Sequence, residues 1–157
     1  SVGNVVDPYV LVEEFGLDCA IDYKTEDVEQ ALTRIGGGIH VYFDNVGGPL
    51  LDAVLPNMAH YGRVAICGLV ATYAADSATP GPRRFDQVLM RRLSIAGLFS
   101  PDFAHRGPEY NALLQPWLRA GRITLPFDIT TGLENLLTAY AKLFTGGNIG
   151  KVLVKLT

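Results

Sequence analysis

Cysteine is scarce in this 157-residue chain, with only Cys19 and Cys67. Two cysteines cannot build a disulfide framework. Both sit in apolar, strand-like surroundings, so the expectation is buried free thiols in a reducing compartment. The three histidines, His40, His60 and His105, are scattered, and no Cys/His spacing outlines a zinc site. Charge of one sign is also missing: the net charge is −3 with no basic block, so neither nucleic acid nor an anionic membrane surface is an expected partner. No apolar run approaches the length of a membrane span, and no signal-peptide pattern opens the residues given, which sets a cytoplasmic expectation. No repeat or low-complexity tract stands out. One motif is conspicuously absent. A dinucleotide-binding sheet opens with a strand, then Gly-x-Gly-x-x-Gly, then a helix, and nothing of that kind precedes Val10. Gly36-Gly37-Gly38 comes before a strand rather than after one, so it cannot be that phosphate loop.

What is present is a globular composition, 48% hydrophobic and 18% charged, with enough residues for a real core. The central stretch is Gly38-Ile39-His40-Val41-Tyr42-Phe43-Asp44-Asn45-Val46-Gly47-Gly48. It runs from apolar, β-branched residues to a polar tip and a glycine pair, and Leu50, Leu51, Val54 and Leu55 follow at helical spacing. This predicts a buried parallel strand, a sharp turn and a helix reaching about Ala59. Ligands of doubly wound sheets sit at the carboxyl ends of such strands, which makes Asp44 to Gly48 the first candidate site.

Other segments follow the same logic. Val6, Val10, Leu11 and Phe15 share a helical face, and Gly16 sits where a C-terminal cap belongs. Cys19 to Tyr23 reads as a short strand. Thr25 offers an N-cap for a helix lined by Val28, Leu32 and Ile35. Tyr61-Gly62 turns into a strand over Arg63 to Gly68, then a long loop runs from Leu69 to Pro82. Phe85 to Arg92 suggests a helix, Arg92 to Phe99 a strand and Arg106 to Gly121 a helix with Tyr110, Leu113, Leu114, Trp117 and Leu118 on its apolar side. Ile123 to Ile129 reads as a strand. Leu133 to Phe144 is a helix with Leu133, Leu136, Leu137, Tyr140 and Phe144 inward, and Gly150 to Leu156 an alternating strand. The alternation predicts an α/β fold with a parallel sheet and helices on both faces.

Several of these pieces, taken together, resemble one family. They are Leu11 to Asp18, Ala20-Ile21-Asp22-Tyr23-Lys24, Val41 to Gly48, Cys67-Gly68-Leu69 with Tyr73, Pro116 to Gly121, Gly132-Leu133-Glu134-Asn135 and Gly146-Gly147-Asn148-Ile149-Gly150-Lys151. Their order and spacing are similar to the zinc-independent medium-chain dehydrogenase/reductases, specifically the prostaglandin/leukotriene reductases and alkenal double-bond reductases. Family members run to more than twice this length and begin with a GroES-like substrate domain. The resemblance therefore implies a fragment: a Rossmann-like doubly wound sheet without its first strand and glycine loop. Residues 1–145 are expected to be the partial nucleotide-binding domain, and 146–157 a strand returning to the absent substrate domain. The implied activity is NADPH-dependent reduction of the C=C bond of enals and enones, weak or absent in this chain alone. A homodimer joined near Arg92 to Phe99 is implied too. A non-catalytic remnant acting in dimerisation or partner binding is the alternative. A methyltransferase-like reading, with Asp22 or Asp44 on a ribose, is disfavoured by the Gly-Asn-Ile-Gly-Lys tail.

The resemblance assigns roles position by position. Tyr23 contacts NADP(H) near its adenosine phosphate, and Asn45 lies against the ribose and nicotinamide side. Gly47 and Gly48 allow close backbone approach. Cys67 and Gly68 open the segment under the nicotinamide ribose, and Leu98, Phe99 and Ser100 face the carboxamide. Asn148 reaches the nicotinamide end. Tyr73 matches the tyrosine beside the substrate, where a phenol can position a carbonyl or relay a proton. The lysine that pairs with the 2′-phosphate falls at Asp7, whose charge would repel that group. Arg83 and Arg84 lie on another loop and receive no role. Lys151 is read as a solvated strand-start residue, and Cys67 as a small filler rather than a nucleophile.

Overall fold

The computed structural model describes residues 9–73, 80–145 and 148–156. Val6, Asp7, Gly146, Gly147 and the middle of the 69–82 loop lie outside the described residues. The chain divides into two compact units: Ile21–Ala104, and the described residues of Gly3–Ala20 and His105–Thr157.

In the first unit Asp27 caps α1 (Val28–Ile35) by accepting the Gln30 N–H at 3.0 Å. Thr25, expected in that role, instead donates its hydroxyl to Asp22 Oδ2 at 2.8 Å within a tight 22–26 turn. Ala31 is the buried position of α1, whereas Ile35 is exposed. The strand β1 (Ile39–Asp44) follows, then α2 (Gly48–Val54), a 3-10 turn (Leu55–Asn57) and β2 (Met58–Ile66). The α2 helix therefore ends earlier than its apolar pattern suggested, because Pro56 lies in the 3-10 turn that follows and β2 is already paired from Met58. Tyr61, at φ +62, interrupts the β1–β2 register between Ile39 and Val41, so the expected turn at Tyr61-Gly62 is an irregularity inside β2. The unit closes with α3 (Asp86–Met90) and β3 (Ser94–Gly97).

All three strands are parallel in the order β1-β2-β3, the α/β arrangement that the alternation predicted. Leu51, Val54, Leu55, Met58, Val64 and Leu93 form the core, with Leu32, Ile39, Tyr42, Ile66 and Val88 packed on it. Burying such a side chain contributes about 1.5–3 kcal/mol. The opposite face of β1, carrying Val41 and Phe43, is exposed. Cys19 to Tyr23 forms no strand, since among the described residues no neighbour supplies it with a ladder. Cys19 is consequently exposed and Cys67 only half-buried, although both thiols are free.

The second unit begins with a single wide turn, Val10–Glu14, closed by the Phe15 N–H donating to the Val10 carbonyl at 3.3 Å and ended by Gly16 at φ +68. A 3-10 segment (Ser100–Arg106), whose residues up to Ala104 belong to the first unit, leads into α4 (Gly107–Arg119). The strand β4 (Phe127–Thr131), shifted toward the C-terminus from its expected place, pairs in parallel with β5 (Lys151–Lys155). Between them lie a 3-10 turn (Leu133–Asn135) and α5 (Leu136–Thr145), whose Lys142 donates to Asp128 at 2.7 Å. Ala139 is the buried residue of α5. Leu133, Leu136, Leu137, Tyr140 and Phe144, expected inward, are exposed, as are Tyr110, Leu113, Leu114, Trp117 and Leu118 of α4. Periodicity identifies residues that share a face; whether that face is covered depends on what packs against it.

Candidate functional site

The site is built on one buried carboxylate. Asp44 ends β1 with no exposed surface. Its Oδ1 accepts the Val46 and Gly47 N–H groups at 2.9 Å each and the Tyr42 hydroxyl at 3.0 Å. An aspartate that gathers the amides two and three residues on folds the chain back into a tight turn. Oδ2 is buried and has no hydrogen-bond partner among the described residues. Burial, then the Asp44 charge and hydrogen bond, push the Tyr42 phenol above its ordinary pKa.

The same residue ties β1 to β2 through its backbone. The Asp44 carbonyl accepts the Cys67 and Gly68 N–H groups at 2.8 and 3.1 Å. The zipper continues beyond the strands: Val70 N–H donates to the Asn45 carbonyl at 3.3 Å and Ala71 N–H to that of Val46 at 3.0 Å. Gly47 needs to be glycine twice over. Its φ is +69, and a Cβ would lie 2.7 Å from Leu69 Cδ2. On the other side of β2, the Leu98 N–H donates to the Ile66 carbonyl at 2.8 Å. The carboxyl ends of three strands thus form one continuous edge.

Most of the expected site residues meet on or beside that edge. The Asn45 amide is exposed and makes no hydrogen bond to another described residue, leaving two donors and an acceptor for a ligand. Gly47, Gly48, Cys67 and Gly68 form the floor, with Leu98 half-buried and Phe99 and Ser100 exposed at the far end. Tyr73 ends the 3-10 turn Val70–Thr72, and its phenol oxygen accepts the Leu69 N–H at 3.1 Å. The hydroxyl proton stays available to donate. Asn148 belongs to the other unit, where its amide donates to the Gly150 carbonyl at 2.9 Å in a local turn.

Tyr23 lies on an adjoining groove of about 910 Å³, between the first turns of α1 and α2, bounded by Gly48 and Leu69 on the edge side. Arg83 and Arg84, given no role from sequence, line the same groove. Asp52 of α2 draws them in, accepting the Arg83 N–H at 2.7 Å and the Arg84 N–H at 3.3 Å, and the Arg84 guanidinium grips Glu29 at 2.9 and 3.1 Å. No local pattern signals such pairings, because the partners lie 31 and 55 residues apart. Exposed amides, glycine-floored turns and a free hydroxyl proton suit a ligand rich in ribose hydroxyls. Among the described residues, no group of three or more His, Cys, Asp or Glu could hold a metal ion, and no helix is long and apolar enough to cross a membrane.

Comparison with known proteins agrees with this architecture. A family model described as zinc-binding dehydrogenase matches residues 15–154. The 2-alkenal reductase (NADP(+)-dependent) of Nicotiana tabacum is 39% identical over 156 residues, covering 98% of this chain and 45% of that protein. Prostaglandin reductase 1 of Sus scrofa is 34% identical over 148 residues, covering 92% of this chain and 45% of its own length. The crystal structure of CurA in complex with NADPH from Vibrio vulnificus superposes with a TM-score of 0.84 at 34% identity, covering 99% of this chain and 48% of that one. The chain thus spans just under half the length of these relatives.

Proposed function

From a chain that belongs to the zinc-binding dehydrogenase family, we propose the cofactor-binding half of an NADPH-dependent oxidoreductase that reduces the C=C bond of α,β-unsaturated aldehydes and ketones. The observation that carries this reading is the edge assembled by Asp44, with Asn45, Cys67-Gly68 and Leu98 side by side at three parallel strand ends. The Asp-Asn-Val-Gly-Gly and Gly-Asn-Ile-Gly-Lys motifs support assignment to the zinc-independent branch. The similar alkenal reductase and the NADPH complex of CurA support the cofactor and the reaction class.

In this reading Asn45 hydrogen-bonds the ribose hydroxyls, and Gly47 and Gly48 admit the cofactor backbone closely. Cys67 and Gly68 pass under the nicotinamide ribose, and Leu98, Phe99 and Ser100 face the carboxamide. The resemblance also implies a role for Asn148 at the nicotinamide end; within its own unit its amide is held by the Gly150 carbonyl. The chemistry supplied by bound NADPH is a hydride for the β-carbon of the substrate. Tyr73 keeps a donatable proton because its oxygen is the acceptor for Leu69 N–H, so it can orient the substrate carbonyl or protonate the enolate. The remaining 146–157 segment is assigned to the substrate domain, and the whole enzyme to the cytoplasm.

A second reading rests on a different observation. The apolar side of α4 is exposed, and β3 is an edge strand with all four residues accessible. On that reading the chain acts without turnover, through a homodimer joined along β3. Thermal unfolding with NADPH and NADH, read beside nicotinamide fluorescence, separates the two. Saturating NADPH is expected to raise Tm by several degrees, about 2–3 kcal/mol at a hundredfold excess over Kd, and Asn45→Ala to abolish most of the rise. Absence of a shift with either nucleotide, with sedimentation as a dimer, would favour the second reading.

A further inference from the structure

Asn45 carries an exposed side chain on a tied backbone. Its own carbonyl accepts the Val70 N–H at 3.3 Å. On one side of it, the Asp44 carbonyl accepts the Cys67 and Gly68 N–H groups. On the other, Val46 gives its N–H to Asp44 Oδ1 and its carbonyl accepts the Ala71 N–H. A Cβ on Gly68 would stand 2.9 Å from the Asn45 carbonyl oxygen, so the approach of the two strand ends needs a glycine there. Tyr73 is held by the same bonds. It closes the 3-10 turn Val70–Thr72, whose first two amides are the ones bound to Asn45 and Val46. The Thr72 hydroxyl donates to the Leu69 carbonyl at 2.8 Å, and the Leu69 N–H donates to the Tyr73 oxygen at 3.1 Å. Asn45 and Tyr73 therefore hang from one hydrogen-bonded frame, and its buried anchor is Asp44 Oδ1 with its three donors. Two of these are the amides of the turn itself. The third is the Tyr42 phenol, which comes from within β1, where Tyr42 packs on the hydrophobic core.

We propose that Asp44, and Tyr42 acting through it, are positioning residues that set Asn45 and Tyr73 at a fixed spacing for the nicotinamide-ribose half of the cofactor and the substrate carbonyl. This rests on the reading of the chain as an NADP(H)-binding domain. Neither residue touches a ligand: Asp44 has no exposed surface, and the Tyr42 hydroxyl is spent on Asp44. Their part is preorganisation. A polar group held in place before binding loses little entropy on meeting its partner, and a misplacement of about 1 Å can cost about a hundredfold in rate. The effect is confined to one half of the dinucleotide. The groove that Tyr23 lines is walled mainly by α1, α2 and residues 80–84. None of these walls donates to the Asp44 carboxylate, whose partners among the described residues are Tyr42, Val46 and Gly47. Loosening the frame should therefore weaken the hold on the nicotinamide half and spare the adenosine half.

Calorimetric titration of the 157-residue chain with NADPH, and with adenosine 2′,5′-bisphosphate as a ligand that lacks the nicotinamide half, tests the proposal. Titrations are run at a temperature where circular dichroism shows every variant folded. Asp44→Ala is expected to weaken NADPH by about tenfold and the bisphosphate by less than about twofold. Asp44→Asn keeps an acceptor and should restore most of the NADPH affinity, and Tyr42→Phe should weaken NADPH by about threefold. Leu55→Ala removes core without touching the frame, and should leave the ratio of the two affinities as in the wild type. Amide exchange reports on Tyr73: Val70 and Ala71 should lose protection in Asp44→Ala and keep it in Asp44→Asn. If Asp44→Ala does not fold, Tyr42→Phe decides the outcome, because Oδ1 keeps its two backbone donors in that variant. Equal losses for both ligands, an unchanged ratio in Asp44→Ala and Tyr42→Phe, or a matching shift in Leu55→Ala would overturn the positioning role while leaving the dinucleotide site standing. Absence of NADPH binding by the wild-type chain would overturn both.

Discussion

The two compact units put amphipathic helices to different use. In Ile21–Ala104 the apolar faces of α1 and α2 and the inner face of the sheet meet, and Leu55 and Met58 have no exposed surface. In the other unit α4 and α5 also carry apolar stripes, yet Leu137 is 79% exposed and Ala139 is the buried residue among those described in its helix. An apolar stripe is thus a capacity for burial, realised only where a sheet or a second helix lies against it. The sharpest way to break this comparison is a matched pair of truncations. Leu55→Ala is expected to cost about 2–5 kcal/mol in urea unfolding followed by circular dichroism, because it removes methyl groups from a closed core. Leu137→Ala should stay within about 0.5 kcal/mol. Equal losses would mean that α5 is covered in solution.

The first unit also differs from the second in how its polar ends are fixed. Asp44 holds three donors on one oxygen and two more on its carbonyl, whereas the main polar tie of α5 to β4 is the partly exposed Lys142–Asp128 pair. Asp44→Ala removes an acceptor from the buried Gly47 N–H and its neighbours, and should destabilise by about 2–3 kcal/mol. Asp44→Asn retains an acceptor and should cost about 1 kcal/mol. Amide exchange of Val46 and Gly47 would distinguish the mechanisms: both amides should lose protection in the alanine variant and keep most of it in the asparagine variant. Retained protection in Asp44→Ala would show that the turn stands without its carboxylate.

How far the sequence foretold these features depends on the range of the interaction. β1 fell inside the stretch Gly38 to Gly48 because an apolar, β-branched run bounded by glycine is a local signal, and the glycine-dependent turn after it was local as well. Cys19 to Tyr23 failed as a strand because ladders are not local: an apolar run becomes a strand only beside another. Thr25 and Asp27 compete for one helix start, and the preference for Asp27 reflects Asp22 having claimed the threonine hydroxyl. The edge residues Asn45, Gly47, Cys67 and Gly68 came from a motif read along the chain. Arg83 did not, since its place on the groove that Tyr23 also lines depends on Asp52, 31 residues away.

The smallest expected effect sharpens the same comparison from the phenol side. Tyr42 donates to Asp44 Oδ1 from within the sheet, and its burial and the neighbouring charge raise its pKa above the ordinary value of about 10. The native state therefore favours the protonated phenol more than the unfolded chain does. Its contribution to stability is full below about pH 10 and is lost as pH climbs toward the raised native value. Tyr42→Phe should cost about 1 kcal/mol near neutrality, since the Oδ1 acceptor keeps its two backbone donors. The informative quantity is the wild-type minus Phe difference in urea midpoints between pH 8 and 11. The remaining tyrosines titrate in both proteins and largely cancel. The difference should shrink above pH 10, because the wild-type chain alone must then either hold a protonated phenol at a penalty or bury a phenolate beside Asp44. Parallel curves would place the Tyr42 hydroxyl in solvent and remove one of the three donors that define the Asp44 edge.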